Sequence, residues 1–148
     1  MRLSSTCLVT GIVSAFVIAS WAKQAGSSPA DAVYMPLTRV PAKARDRSNP
    51  LEHDPEAPIA GRKLFEQHCA ECHGPDAGGG RRGPSLLAPQ VQQATPGELF
   101  WILTNGVVRR GMPVWSRLHE AQRWQIVTYL KSLRTPPTTA PVNGDPDR

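Results

Sequence analysis

The sequence lacks most of the patterns that identify an enzyme, a nucleotide-binding protein or a zinc clamp. It contains no catalytic constellation of the usual kinds, no nucleotide-binding loop and no second CxxC or HxxxH motif. Its net charge is +5, but the Lys and Arg residues are scattered in pairs and form no stripe interleaved with aromatic residues. Binding to nucleic acid is therefore not expected. No strand pattern is visible either, which favours an all-α protein.

The N-terminus has the features of an export signal. Arg2 precedes an apolar run over residues 7–22, which is shorter than the ~20 residues of a membrane-spanning helix. Ser20 and Ala22 are small residues of the kind that a cleavage site needs. We therefore predict that residues 1–22 are a signal peptide, with an uncleaved N-terminal anchor and membrane association as the alternative. In both cases the rest of the chain is periplasmic or otherwise extracytoplasmic.

The 15 prolines and 12 glycines are unevenly placed and divide the chain. Residues 23–57 combine several prolines with mixed charges and show no apolar periodicity, so we predict a Pro-rich linker. The periodic part covers residues 58–134 and is the predicted folded domain. Residues 135–148 are again rich in proline, and we expect a disordered tail.

A first helix is predicted to begin at Pro58, because proline suits the first position of a helix. Gly61, Leu64, Phe65 and His68 follow at the i, i+3, i+4 and i+7 spacing of one helical face. Glycine weakens a helix by ~1 kcal/mol relative to alanine. Its expected use on a buried face is to let another helix come close.

A second helix is predicted after the glycine-rich loop. Thr95 is a natural N-cap, Pro96 occupies the first position and Glu98 completes a capping box. Asn105 and Gly106 supply the stop signal.

The last predicted helix covers residues 118–133. Its apolar stripe and the aromatic residues beside it are Ile126, Val127, Leu130 and Leu133, with Trp124 and Tyr129. A domain of this size buries little apolar surface, so it usually needs an additional stabilising group such as a disulfide, a metal or a cofactor.

The pair Cys69 and Cys72, followed at once by His73, admits several kinds of site. A disulfide between them would close a very small loop and stabilise little. A thioredoxin-like redox pair would need a βαβ context, and structural zinc would need four ligands. The CxxCH pattern is typical of covalent haem attachment, in which both thiols bind haem vinyl groups and the histidine is the proximal iron ligand. We favour this interpretation, since the haem would also supply the missing core.

The domain resembles the class I, mono-haem cytochromes c over essentially all of residues 58–133. Four signatures occur in the family's order: Gly61 and Phe65 before Cys69, Cys72 and His73; Gly83 with Pro84; Gly111, Met112 and Pro113 with Trp115; Tyr129 with Leu130 and Leu133. The resemblance implies a small cytochrome c fold, with three to four helices and loops wrapped around one covalently bound haem c. It also implies that Gly61 and Phe65 meet Tyr129 where the first and last helices cross.

The resemblance assigns roles to individual residues. Cys69 and Cys72 would attach the haem, and His73 and Met112 would be the two ligands of its iron. The Pro84 carbonyl would accept a hydrogen bond from the His73 ring, which fixes the tautomer and strengthens donation to iron. Such ligation leaves no open iron site, so one-electron exchange is the implied chemistry.

Three functional hypotheses follow from the resemblance. The first is an exported electron carrier, not itself an enzyme, between periplasmic or membrane-bound redox partners. The second is a dedicated cytochrome subunit of a dehydrogenase or oxidase complex, because GELFWILTNGV and GMPVW resemble cytochromes that accompany such enzymes. The third is a haem sensor or peroxidase in which Met112 does not hold the iron.

The charges of the domain predict the kind of partner. Residues 58–134 contain ten Lys and Arg residues and five acidic ones. One arginine pair, at 81 and 82, precedes Pro84, and another, at 109 and 110, precedes Met112. We therefore expect docking to acidic surfaces on redox protein partners.

Overall fold

The computed structural model describes residues 31–134, and these residues confirm the all-α fold. Seven α-helices occur in this range: α1 (Met35–Thr38), α2 (Ala42–Arg45), α3 (Ala57–His68), α4 (Ala70–His73), α5 (Pro89–Gln93), α6 (Pro96–Asn105) and α7 (Glu120–Ser132). Two 3-10 turns, Asp31–Tyr34 and Val108–Arg110, complete the helical elements. Between residues 31 and 134 there is no strand, and no helix there is long and apolar enough to cross a membrane. The signal peptide and tail predictions concern residues outside this range.

Helices α3 and α7 cross at Gly61, as the sequence predicts. A Cβ atom on Gly61 would lie 2.0 Å from the carbonyl oxygen of Gln125, so only glycine permits this approach of the two backbones. One turn further along α3, the ring of Phe65 packs on Tyr129 with the ring centroids 5.3 Å apart. This crossing holds α3, and the cysteines that follow it, against the last helix.

The predicted capping box sets the beginning of α6. The Thr95 side-chain oxygen accepts a hydrogen bond from the Glu98 backbone N–H, and the Glu98 carboxylate accepts one from the Thr95 backbone N–H. The helix ends at Gly106, whose φ of +67° lies in the left-handed region that favours glycine.

The hydrophobic core lies between α6, α7 and the end of α3. Its twelve buried residues are Phe65, Ala77, Val91, Ala94, Leu99, Phe100, Leu103, Trp124, Ile126, Val127, Tyr129 and Leu130. Phe100 stacks on Trp124 with 4.0 Å between the ring centroids. The Arg47 guanidinium lies 4.5 Å from the Phe100 centroid, which is a cation–π contact.

Residues 31–57 differ from the linker that the sequence predicts. They contain two four-residue α-helices and pack against the domain, with Val40 only 3% exposed. Asn49 is also buried, and its side-chain amide donates a hydrogen bond of 2.8 Å to the Thr128 hydroxyl in α7. Tertiary contacts of this kind stabilise helices that are too short to form by themselves.

Candidate haem-binding site

One cavity of about 750 Å³ brings the predicted site residues together. Cys69, Cys72, His73, Pro84 and Met112 all lie on its wall, although the last two come from separate loops. The remaining wall is largely apolar and includes core side chains from α6 and α7. Its volume falls within the roughly 300–1,000 Å³ of small-molecule and cofactor sites.

The turn between α3 and α4 places both cysteines and the histidine on this cavity. The Cys69 backbone N–H donates to the Phe65 carbonyl (2.8 Å) and so ends α3. The Cys69 carbonyl in turn accepts from the N–H groups of Cys72 (3.1 Å) and His73 (3.0 Å). The two cysteines and the histidine, which fall within five residues, are therefore held by backbone hydrogen bonds in a compact turn with their side chains half-buried.

Both thiols are free in the structure. Burial, and secondly the neighbouring Cys72, raise the pKa of the Cys69 thiol to about 12. A thiol with such a pKa stays protonated at neutral pH and is a poor nucleophile for disulfide exchange. A structural zinc site is not supported either. Within residues 31–134, no three His, Cys, Asp or Glu side chains lie close enough together to hold a metal ion.

The His73 ring is fixed by one hydrogen bond. Its Nδ1 lies 2.8 Å from the carbonyl oxygen of Pro84. A carbonyl oxygen only accepts hydrogen bonds, so Nδ1 carries a proton, and in the neutral ring Nε2 keeps its lone pair. The loop fits closely against the ring, because a Cβ atom on Gly83 would lie 2.9 Å from Nδ1. The lone pair of Nε2 is therefore available to ligate a metal ion.

A short loop after α6 brings Met112 to the cavity. Met112 pairs with Val107 through two backbone hydrogen bonds: the Val107 N–H donates to the Met112 carbonyl (3.0 Å), and the Met112 N–H donates to the Val107 carbonyl (3.3 Å). The turn between them depends on Gly111, whose φ is +86°. Met112 is half-buried and packs against the core. Its thioether thus belongs to an ordered loop.

Part of the cavity wall comes from the predicted linker. Four side chains of that segment line the cavity, those of Val33, Tyr34, Pro36 and Leu37. The Tyr34 hydroxyl donates to the Ser85 carbonyl oxygen at 2.9 Å, 51 residues away in the chain. A signal for this packing exists, because Val33, Leu37 and Val40 follow the i, i+4 and i+7 spacing of a helical stripe.

His68 and three of the four paired arginines line the cavity. The His68 ring packs on Trp115 with 5.2 Å between centroids. Arg81, Arg82 and Arg110 contribute to the cavity wall and are exposed. Arg82 forms an ion pair with Glu71, which neutralises part of one arginine pair.

Comparison with known proteins decides the family. The sequence model of the family described as "Cytochrome C oxidase, cbb3-type, subunit III" matches residues 56–130, half of the chain. The chain belongs to this family of c-type cytochromes. The family implies haem c with its iron as the cofactor and supports the predicted resemblance to cytochromes c.

One solved structure of another cytochrome is similar to this chain. Cytochrome CL from the marine methylotrophic bacterium Methylophaga aminisulfidivorans MPT aligns with a TM-score of 0.51 and 29% sequence identity. The alignment covers 57% of this chain and 60% of that protein, so the chain spans less than two thirds of its length. No curated protein matches the chain.

The residues on the cavity fit haem c. Two cysteines spaced as CxxC precede the histidine, the histidine is held in the tautomer that leaves Nε2 free to donate, and a methionine lies on the same cavity. The apolar lining suits a macrocycle, and the four predicted attachment and ligand residues are all half-buried there.

Proposed function

We propose that this c-type cytochrome carries single electrons through one haem c attached to Cys69 and Cys72 and held by His73 and Met112. The observation that carries the proposal is the single cavity on which these four side chains meet. When bound, the haem supplies one-electron exchange between ferric and ferrous iron. The protein is then an electron carrier, and not an enzyme by itself.

The protein residues set how readily that exchange occurs. The Pro84 carbonyl orients the His73 ring and increases the basicity of its free nitrogen. The Met112 thioether favours the ferrous state, and so does the apolar wall, because it disfavours the additional positive charge of the ferric state. The backbone pairing of Met112 with Val107 and the helix crossing at Gly61 hold the site in one arrangement, so little has to move.

The electron-transfer partner would be an acidic protein outside the cytoplasm. Residues 106–119, which contain Met112, include three arginines and no carboxylate. The same segment exposes two apolar side chains, Val108 at 67% and Val114 at 43%. Cationic groups around exposed apolar residues are suited to a transient acidic partner, because opposite charges steer the encounter. The predicted export signal at residues 1–22 supports the location.

A role as a cytochrome subunit is the second candidate. The matched family is described as a subunit of a cytochrome c oxidase, and the aligned structure is cytochrome CL of a methylotroph. Purification from the native membrane and periplasmic fractions distinguishes the two candidates. A free carrier elutes alone, and a dedicated subunit elutes with a larger oxidase or dehydrogenase.

A redox titration of the haem-loaded protein tests the proposed function. We expect a reversible single-electron transition and no binding of cyanide or carbon monoxide by the untreated protein. Rapid binding of either ligand would contradict the electron carrier, since it requires an open iron site. That result would favour the sensor or peroxidase hypothesis.

A further inference from the structure

The cavity has one wall that lies outside the matched family residues. The match covers residues 56–130, whereas four of the lining side chains belong to residues 33–37. We call residues 31–40 the strap. The strap therefore adds to the cytochrome domain a surface that faces the cofactor cavity.

The strap is attached to the domain at both ends. The Tyr34 hydroxyl donates to the Ser85 carbonyl at 2.9 Å, so the strap is tied to the loop that also orients His73. At the other end Val40 is buried, and the Arg45 Nε donates to its carbonyl oxygen at 2.9 Å and lies 3.5 Å from the Glu98 carboxylate of α6. These contacts hold the strap side chains in place along the cavity.

We propose that the strap is a wall of the haem pocket that limits water access and thereby raises the reduction potential. This inference rests on the proposed function. The ferric state carries one more positive charge than the ferrous state, so a drier pocket disfavours it. Val33 and Leu37 are half-buried apolar side chains on the cavity, and Leu37 also packs against the core. Each would keep water from the part of the cavity wall that it forms.

The chain offers a control that separates this role from general stabilisation. Leu37 and Leu51 are both half-buried leucines that pack against the core, and both precede the matched residues. Leu37 lines the cavity and Leu51 does not. Truncation of either removes comparable packing, but only Leu37→Ala opens the cavity wall.

The test compares midpoint potentials of the haem-loaded full chain with Leu37→Ala, Leu51→Ala and Tyr34→Phe. We expect Leu37→Ala to lower the midpoint potential and Leu51→Ala to leave it unchanged, while both lower the denaturant midpoint of unfolding. Tyr34→Phe keeps the ring but removes the bond to Ser85. We expect it to increase the amide hydrogen exchange of the strap several-fold and to lower the potential by less than Leu37→Ala does.

The outcomes distinguish the strap from the proposed function. If the unaltered protein has a c-type spectrum and neither Leu37→Ala nor Tyr34→Phe shifts its potential, the strap inference is wrong and the electron carrier stands. Equal shifts in Leu37→Ala and Leu51→Ala also overturn the inference. An unaltered protein without a c-type spectrum overturns the proposed function and the strap with it. If Leu37→Ala does not fold, the midpoint potential of Tyr34→Phe alone decides whether the strap inference stands.

Discussion

The Nδ1 atom of His73 and the carbonyl oxygen of Pro84 lie 2.8 Å apart, across 11 residues of a glycine-rich loop. This contact links the CxxCH turn to a separate part of the chain and determines which ring nitrogen is free. Because a hydrogen-bonded imidazole is a stronger donor, the bond would stabilise ferric iron if His73 ligates it as proposed. The loop would then contribute to the reduction potential of the site.

The close fit of Gly83 against His73 makes this bond testable. A Cβ atom there would lie 2.9 Å from Nδ1 and 3.0 Å from the Cys72 carbonyl oxygen, so Gly83→Ala displaces the loop. We expect a longer His73–Pro84 bond and a higher midpoint potential, measured by redox titration. Gly78→Ala is the control, since the three atoms nearest to its Cβ would all belong to the flexible side chain of Asp76. Equal potentials in the two variants would contradict the role of the bond.

Replacement of Met112 tests the distal ligand. Met112→Ala removes the thioether while Cys69 and Cys72 remain, so we expect the haem to stay attached. The midpoint potential should fall, and the ferric protein should become high-spin and bind cyanide. Met35→Ala is the matched control, because Met35 belongs to the strap but is 37% exposed and does not itself line the cavity. An unchanged spectrum in Met112→Ala would mean that another group holds the iron.

The crossing of α3 and α7 predicts a large effect of one methyl group. Gly61→Ala would place Cβ 2.0 Å from the Gln125 carbonyl oxygen, which forces the helices apart. We expect a loss of about 1–3 kcal/mol in the free energy of unfolding, the usual cost of overpacking. Urea unfolding of the haem-loaded protein measures it. Lys63→Ala, an exposed position on the same helix, should change stability by no more than about 0.5 kcal/mol.

The arginines beside Met112 predict how oxidation responds to salt. Electron transfer to ferricyanide, an anion, should slow as ionic strength rises, because salt screens charges beyond a Debye length of about 10 Å at 0.1 M. Replacing Arg109 and Arg110 with Gln should weaken this dependence. The control replaces Arg39 and Lys43, exposed cations that lie outside the cationic segment 106–119. A salt-independent rate in the unaltered protein would contradict the cationic docking face.

Local signals explain why α3 and α6 are predictable from the sequence. The capping box of Thr95 and Glu98 is complete within four residues, and the stop at Gly106 requires only its own backbone. The buried glycine of α3 indicates a helix crossing before any partner is known, and the structure places Gln125 there. Such features depend on neighbouring residues, which a sequence displays directly.

The candidate site is partly local. Cys69, Cys72 and His73 fall within five residues of one turn, so the CxxCH spacing itself indicates their chemistry. Met112 is different, because only the resemblance to cytochromes c indicates its role. Its position depends on the backbone pairing with Val107 and on the turn at Gly111.

The strap and the rest of residues 31–57 are not predictable from composition. Their helices have four residues each, too few to nucleate without support. They are held by distant partners: Asn49 bonds to Thr128 across 79 residues, and Tyr34 bonds to Ser85 across 51. Proline and mixed charge suggest a linker, whereas these individual contacts decide the packing.

The absorption spectrum of the ferric protein, produced with haem-attachment machinery, tests the central claim most directly. We expect covalently attached haem with a low-spin spectrum and the weak long-wavelength band of methionine-to-iron ligation. That result would establish His73 and Met112 as the ligand pair when combined with the loss of the band in Met112→Ala. A high-spin ferric spectrum of the unaltered protein, or a protein without attached haem, would contradict the proposed electron carrier.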